Sequence, residues 1–337
     1  MSLVASGFFA STILLLALLV VFFVYKKHEQ IPISLSTAIK LLLKKRSYSQ
    51  HTGLAEKLGY SEDDKLLIIH ADDLGLARSV NKASFDAIKK NMVSSASIMA
   101  PCAYTDEVAV FAKKNPNADL GVHLTVTNEW KGCTWGPVLS KGLCSSLVDY
   151  KGGFHVGVKN FVNRSDPAEV KEELQAQIDS IRSLGINPTH IDSHEGALFF
   201  SKDLFRAYVE IGVKNELPVF VPKLVAIHFD QKFPKPESLI IIENFFIAQK
   251  GLKENQWESF YLNTIKNLKP GLSQLLVHLA HDDKEMQKIC GAKSSYGAKW
   301  RELDNKIITS PGFKNALVEN NIKLVTWGEI KKVLFAN

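Results

Sequence analysis

Six of the ten histidines in this 337-residue chain stand in short motifs where apolar runs end. They are His70 in LLIIHADDLG, His123 in LGVHLTV, His190 and His194 in PTHIDSHEG, and His278 and His281 in LLVHLAHDDKEM. Asp72 and Asp73 leave the first run as a pair, and Gly75 follows them. Consecutive carboxylates on an extended chain point in different directions, so one can hold a cation while the other takes a proton from water. The same pair also suits a helix N-cap or an ordinary loop. His190, Asp192 and His194 alternate, which sets two imidazoles and a carboxylate on one face of an extended segment. Burying that face is costly unless it binds something. One carboxylate with two imidazoles, and positions left open for water and substrate, fits a divalent metal at a hydrolytic site. A hydrogen-bonded polar cluster without metal is the competing reading. His123, taken alone, reads as a satisfied core histidine.

Such residues need a scaffold that gathers strand ends. Strand-like runs are predicted at 65–71, 93–100, 119–126, 189–193, 217–221, 239–242, 272–279 and 322–327, with helices at 79–92, 104–114, 201–215 and 255–268 and another starting at Pro311. The best-marked helix runs over 166–184. Asp166 can cap it, Pro167 occupies its first turn, Glu169 completes a capping-box pattern and Gly185 ends it. This unbroken alternation predicts a parallel, barrel-like α/β sheet with its chemistry at the C-terminal strand ends.

Charge is distributed unevenly. The net +6 comes almost wholly from residues 26–46, where Lys26, Lys27, Lys40, Lys44, Lys45 and Arg46 oppose Glu29. The nearly neutral remainder argues against nucleic acid as a partner. Residues 8–25 form an apolar run without a charged side chain, which predicts an N-terminal transmembrane helix, with a cleaved signal peptide as the rival. The expected organisation is an anchor at 1–25, a basic juxtamembrane segment at 26–53 and a barrel at 54–337. The basic flank favours a cytoplasmic barrel. Cys102, Cys133, Cys144 and Cys290 show no metal-binding spacing.

Taken in order, LLIIHADDLG, SASIMAPC, LGVHLTV, PTHIDSHEG, LLVHLAHDDKEM and KLVTWGEI resemble the YdjC-like carbohydrate deacetylases, the family that contains chitooligosaccharide and hopanoid-biosynthesis deacetylases. The resemblance implies a NodB-like distorted (β/α) barrel and metal-dependent removal of acetyl from an N-acetylated sugar. It implies Asp73, His123 and His194 as ligands of a divalent metal (Zn²⁺ or Mg²⁺, with Mn²⁺ open) and Asp72 as general base. His278, as an imidazolium, would protonate the leaving amine. His190 and Asp192 would orient the substrate or support the ligands, and Trp135 of TWGP would form a sugar-stacking wall or a core residue. Similar proteins with an N-terminal apolar segment look exported, which opposes the topology suggested by the basic flank. Two departures stand out: Gly196 where many members have another His, and Leu279 where Pro is usual. Rival readings are a metal-dependent hydrolase of another amide or a phosphoester, and an inactive membrane-tethered carbohydrate-binding protein.

Overall fold

The computed structural model describes residues 53–130, 133–229, 236–292 and 294–335. Nine strands form one sheet: β1 (Lys65–Leu74), β2 (Ser95–Ile98), β3 (Leu120–Leu124), β4 (Ile191–Ser193), β5 (Val219–Pro222), β6 (Leu239–Ile242), β7 (Asn244–Ile247), β8 (Gly271–Val277) and β9 (Ile322–Leu324). Their order is β6-β5-β4-β3-β2-β1-β8-β7, with β9 alongside the first residues of β1. Every pairing is parallel. Parallel strands are covered on both faces, which is why β1 reads as a continuous apolar run and is buried from Leu66 onward.

The two sheet edges are consecutive in sequence. β6 pairs with β5, then the chain passes Glu243 and its next residues, β7, pair with β8. A single extended stretch therefore spans the seam of a distorted, nearly closed barrel.

Helices flank the sheet: α1 (Leu54–Lys57), α2 (Arg78–Lys89), α3 (Thr105–Lys114), α4 (Val158–Arg164), α5 (Pro167–Ser183), α6 (Lys202–Lys214), α7 (Lys223–Phe229), α8 (Trp257–Lys266), α9 (Lys284–Cys290), α10 (Ala298–Ile308), α11 (Pro311–Glu319) and α12 (Trp327–Phe335). Asp166 caps α5 by accepting from the Ala168 N–H. Glu169 does not close the expected box; it turns to accept from the Ser146 N–H at 2.7 Å, tying α5 to the long β3–α4 excursion. The strand expected over 322–327 ends at Leu324, and Trp327 begins α12 instead.

The membrane-anchored architecture expected from the sequence is corrected. No helix among the described residues is long and apolar enough to cross a membrane. The longest, α5, has 17 residues and carries Glu169, Lys171 and Glu172. The apolar run at 8–25 and the basic segment after it lie outside the described residues. The described fold is the barrel alone, and neither a membrane partner nor a single-pass location is retained.

One glycine shows how tightly the barrel interior is filled. A methyl group at Gly121 would lie 2.3–2.6 Å from the His190 ring. Gly121→Ala is therefore expected to destabilise the fold by about 1–3 kcal/mol through overpacking, measured by denaturant unfolding; unchanged stability would mean the ring has room to move.

Candidate metal centre

β1 continues past its apolar run, so that His70, Asp72 and Asp73 all sit at its C-terminal end. Asp73 adopts φ 71°, a left-handed conformation that few non-glycine residues hold, and Gly75 follows at φ 92°. This kink turns the Asp73 carboxylate inward. β3 supplies His123, and β4 supplies Asp192 with His194 just beyond it, so β1 converges with the adjacent pair β3 and β4 across the intervening β2.

Asp73, His123 and His194 are buried and meet at one point. His123 Nε2 lies 3.3 Å from Asp73 Oδ1 and 3.2 Å from His194 Nδ1, and His194 Nδ1 lies 3.5 Å from Asp73 Oδ1. Asp73 Oδ1 is buried without a hydrogen-bond partner. Three donor atoms about 3.3–3.6 Å apart are the edges expected of a tetrahedron with metal–ligand bonds of about 2.0–2.2 Å. The donor set and the orphaned oxygen thus fit a divalent cation. Two other buried groupings, His70/His190/Asp192 and Asp72/His123/Asp192, also have ligand-type atoms close together, but in both Asp192 is already paired, through Oδ1 with His123 and through Oδ2 with His70.

The surrounding residues explain the orientation. His123 Nδ1 donates to Asp192 Oδ1 at 2.8 Å, which leaves Nε2 free to face Asp73. Arg301 Nη2 donates to Asp73 Oδ2 at 2.7 Å from α10, so one oxygen of that carboxylate is fixed and the other faces the histidines. Burial opposes charge on Asp73, but Arg301 and the two imidazoles hold its carboxyl well below the usual range. Burial likewise opposes charge on His123, yet Asp72 and Asp192 hold it well above an ordinary histidine; His194 is raised by Asp73 against the same burial. Without metal, His123 is therefore protonated at neutral pH. Cation binding near pH 7 is expected to release about one proton or more, and affinity is expected to fall as pH drops; calorimetry in buffers of different ionisation enthalpy measures this, and zero release would contradict it.

Asp72 stands beside the triad. Its Oδ2 lies 3.7 Å from His123 Nε2, and its Oδ1 lies 3.1 Å from His70 Nε2. A cavity of about 350 Å³ opens over these groups. Asp72, Asp73, His123, Asp192, His194, Glu129 and His278 form its polar end, and Phe199, Phe200, Phe220, Phe245, Ile247 and Leu276 form an apolar wall. Burial and the Arg301 charge hold His278 down at about 4, so its imidazole is neutral near pH 7. Asp304 Oδ2 accepts the His278 backbone N–H while its Oδ1 takes Trp257 and Tyr261, so α10 steadies both Asp73 and His278.

Not every expected residue reaches the cavity. His190 is buried beneath it, stacked on Trp327 at 5.1 Å. Trp135 does not line the cavity; its indole lies edge-on to His194 at 6.0 Å and donates to the Thr127 carbonyl. It packs against His194 rather than lining the cavity. Arg301, Glu129 and Asp304 were not singled out from the sequence. Burial pushes the Glu129 carboxyl up to about 8.

The geometry finds counterparts among known proteins. The model of the family described as YdjC-like protein matches residues 66–319. A carbohydrate deacetylase from Thermoanaerobacter pseudethanolicus is 30% identical over 269 residues, covering 79% of this chain and 100% of that protein. A carbohydrate deacetylase from Thermus thermophilus is 29% identical over 298 residues, covering 84% and 99%. Among solved structures, an Enterococcus faecalis V583 protein described as a candidate for cellobiose-phosphate cleavage superposes with a TM-score of 0.67 at 24% identity, over 79% of this chain and 99% of that one. That superposition supports the barrel fold.

Proposed function

This chain belongs to the YdjC-like family, and from that premise we propose that it is a metal-dependent carbohydrate deacetylase, hydrolysing the acetamide of an N-acetylated sugar to acetate and the free amine. The observation that carries the proposal is an orphaned Asp73 oxygen at ligand spacing from two imidazoles, with a second carboxylate, Asp72, beside but outside that set. Asp73, His123 and His194 would hold the cation; two nitrogen donors favour Zn²⁺, while Mg²⁺ and Mn²⁺ suit the carboxylate. When bound, such an ion lowers the pKa of water and polarises the amide carbonyl.

The remaining chemistry falls to the chain. Asp72 lies where it can accept the proton of an attacking water: its Oδ1 makes a 3.1 Å charge contact with His70 but accepts no hydrogen bond, and its Oδ2 points away from His70 toward His123. His278 faces the same cavity but rests neutral, so it can pass to the leaving amine only a proton gained during turnover. Asp72 is the group that gains one from the water. The phenyl rings of Phe199, Phe220 and Phe245 offer apolar faces that complement sugar C–H groups. Lys250 is the only Lys or Arg among the described cavity-lining residues, which disfavours the phosphoester alternative.

The test is acetate release from N-acetylglucosamine oligomers by the full chain. Release that stops on chelation and returns with a divalent salt is the expected result. Metal-loaded protein that releases no acetate from an N-acetylated sugar panel would overturn the proposal.

A further inference from the structure

His70 has no solvent exposure and sits one layer below Asp72 in the barrel. Its hydrogen-bond surroundings determine its protonation. Ser95 Oγ donates to Asp119 Oδ1 at 2.6 Å, so at 3.1 Å from His70 Nδ1 the same oxygen can only accept. Asp119 is supported as a carboxylate by Ser95, Thr189 and the Gly328 N–H, although burial raises it. On the other side, His70 Nε2 lies 2.9 Å from Asp192 Oδ2, 3.1 Å from Asp72 Oδ1 and 3.1 Å from Ser97 Oγ. A bare lone pair facing two carboxylate oxygens at these distances would be repulsive. Both ring nitrogens must therefore carry protons.

We propose that His70 is a positioning residue: an imidazolium at neutral pH, sealed inside the barrel, that holds Asp72 and Asp192 together and so fixes both the base and the partner of His123. The proposal rests on the reading of Asp72 as the base. The neighbours from each packed element agree with a cation here. Asp72 comes from β1 and Asp192 from β4, Asp119 precedes β3, and His190 meets the ring edge-on at 5.0 Å. His190 stays neutral, driven well below an ordinary histidine by burial and by the His70 charge. His123, the other nearby imidazole, is turned toward Asp192 through Nδ1. Burial alone would discharge His70, but Asp192 and Asp72 hold it at about 9. One buried charge thus faces two carboxylates with different tasks, an attraction stronger than a neutral donor would supply.

Nitrogen-15 spectra of histidine-labelled full-length protein at pH 7.5 test the charge without any turnover. The resonances lost in His70→Asn are expected to belong to a doubly protonated ring; resonances of a neutral ring with one bare nitrogen would overturn the proposal. The second measurement is a kcat against KM comparison for His70→Asn on N-acetylglucosamine oligomers, with metal content measured alongside. The expected result is a kcat lowered about 30-fold or more, with KM and bound metal within twofold of the parent. A kcat within threefold of the parent, or metal lost in proportion to activity, would overturn the positioning role. Asp72→Asn, run in parallel, separates the two ideas: full activity there removes Asp72 as base, while the His70 spectra still report its charge.

Discussion

Replacing Asp72 by asparagine is expected to lower kcat for deacetylation by about 10²–10⁴-fold while leaving the metal bound. Asparagine keeps the size and one carbonyl oxygen of the side chain but cannot accept a proton from water. The ligand triad does not depend on Asp72: its nearest approach to a ligand nitrogen is 3.7 Å, and Asp73 is fixed independently by Arg301. Metal content by elemental analysis and steady-state kinetics on the same preparation check both halves. Turnover within tenfold of the parent would remove Asp72 as the base, and loss of metal would make it a ligand.

His194→Ala is expected to act on the other half of the machinery, weakening divalent cation binding at least about 100-fold because one of three protein ligands is lost. Activity at low metal should vanish, and excess metal should restore only part of it. The fold should survive, since His194 lies at the rim of the barrel beyond β4, backed by Trp135, rather than among the strand-to-strand packing. Equilibrium dialysis measures the affinity, and circular dichroism confirms that the variant folds. Full occupancy in this variant would sink the ligand assignment. The two substitutions are expected to separate cleanly, one sparing binding and losing chemistry, the other losing binding first.

Much of this was legible in the sequence for a physical reason. Parallel strands buried on both faces must be apolar, so polar residues that interrupt them at one end advertise themselves: His70, Asp72, Asp73, His123, Asp192 and His194 all do so. The alternation of segments likewise carried the barrel. What could not be read were single residues whose role depends on tertiary approach. Arg301 sits in AKWRELDNK, where an arginine on an amphipathic helix looks like any solvated one, yet it is fully buried against Asp73. Asp304, one turn later, is equally inconspicuous and holds the His278 backbone. Trp135, read as a sugar-stacking wall or a core residue, takes the second place: it is buried and packs edge-on to His194. The strand expected over 239–242 is β6, but β7 at 244–247 was not expected, because its existence and its division from β6 at Glu243 are set by pairing with β8 rather than by its own pattern.

That division has a consequence for how the enzyme can diversify. The proposed base and ligand residues, Asp72, Asp73, His123 and His194, stand on β1, on β3 and just beyond β4, and the proposed proton donor His278 follows β8; Phe220, Pro222, Phe245 and Ile247 come from β5 and β7, on either side of the seam, while Phe199 and Phe200 follow His194. Lys223 reaches across to Glu243 at the break itself. Selection can therefore reshape the part of the apolar wall built on β5 and β7 by substitution at the seam, while Asp72, Asp73, His123 and His194 stay on other strands. The proposed base and ligands and the seam-borne part of the wall are thus separately mutable, and variation among close relatives should concentrate at the seam.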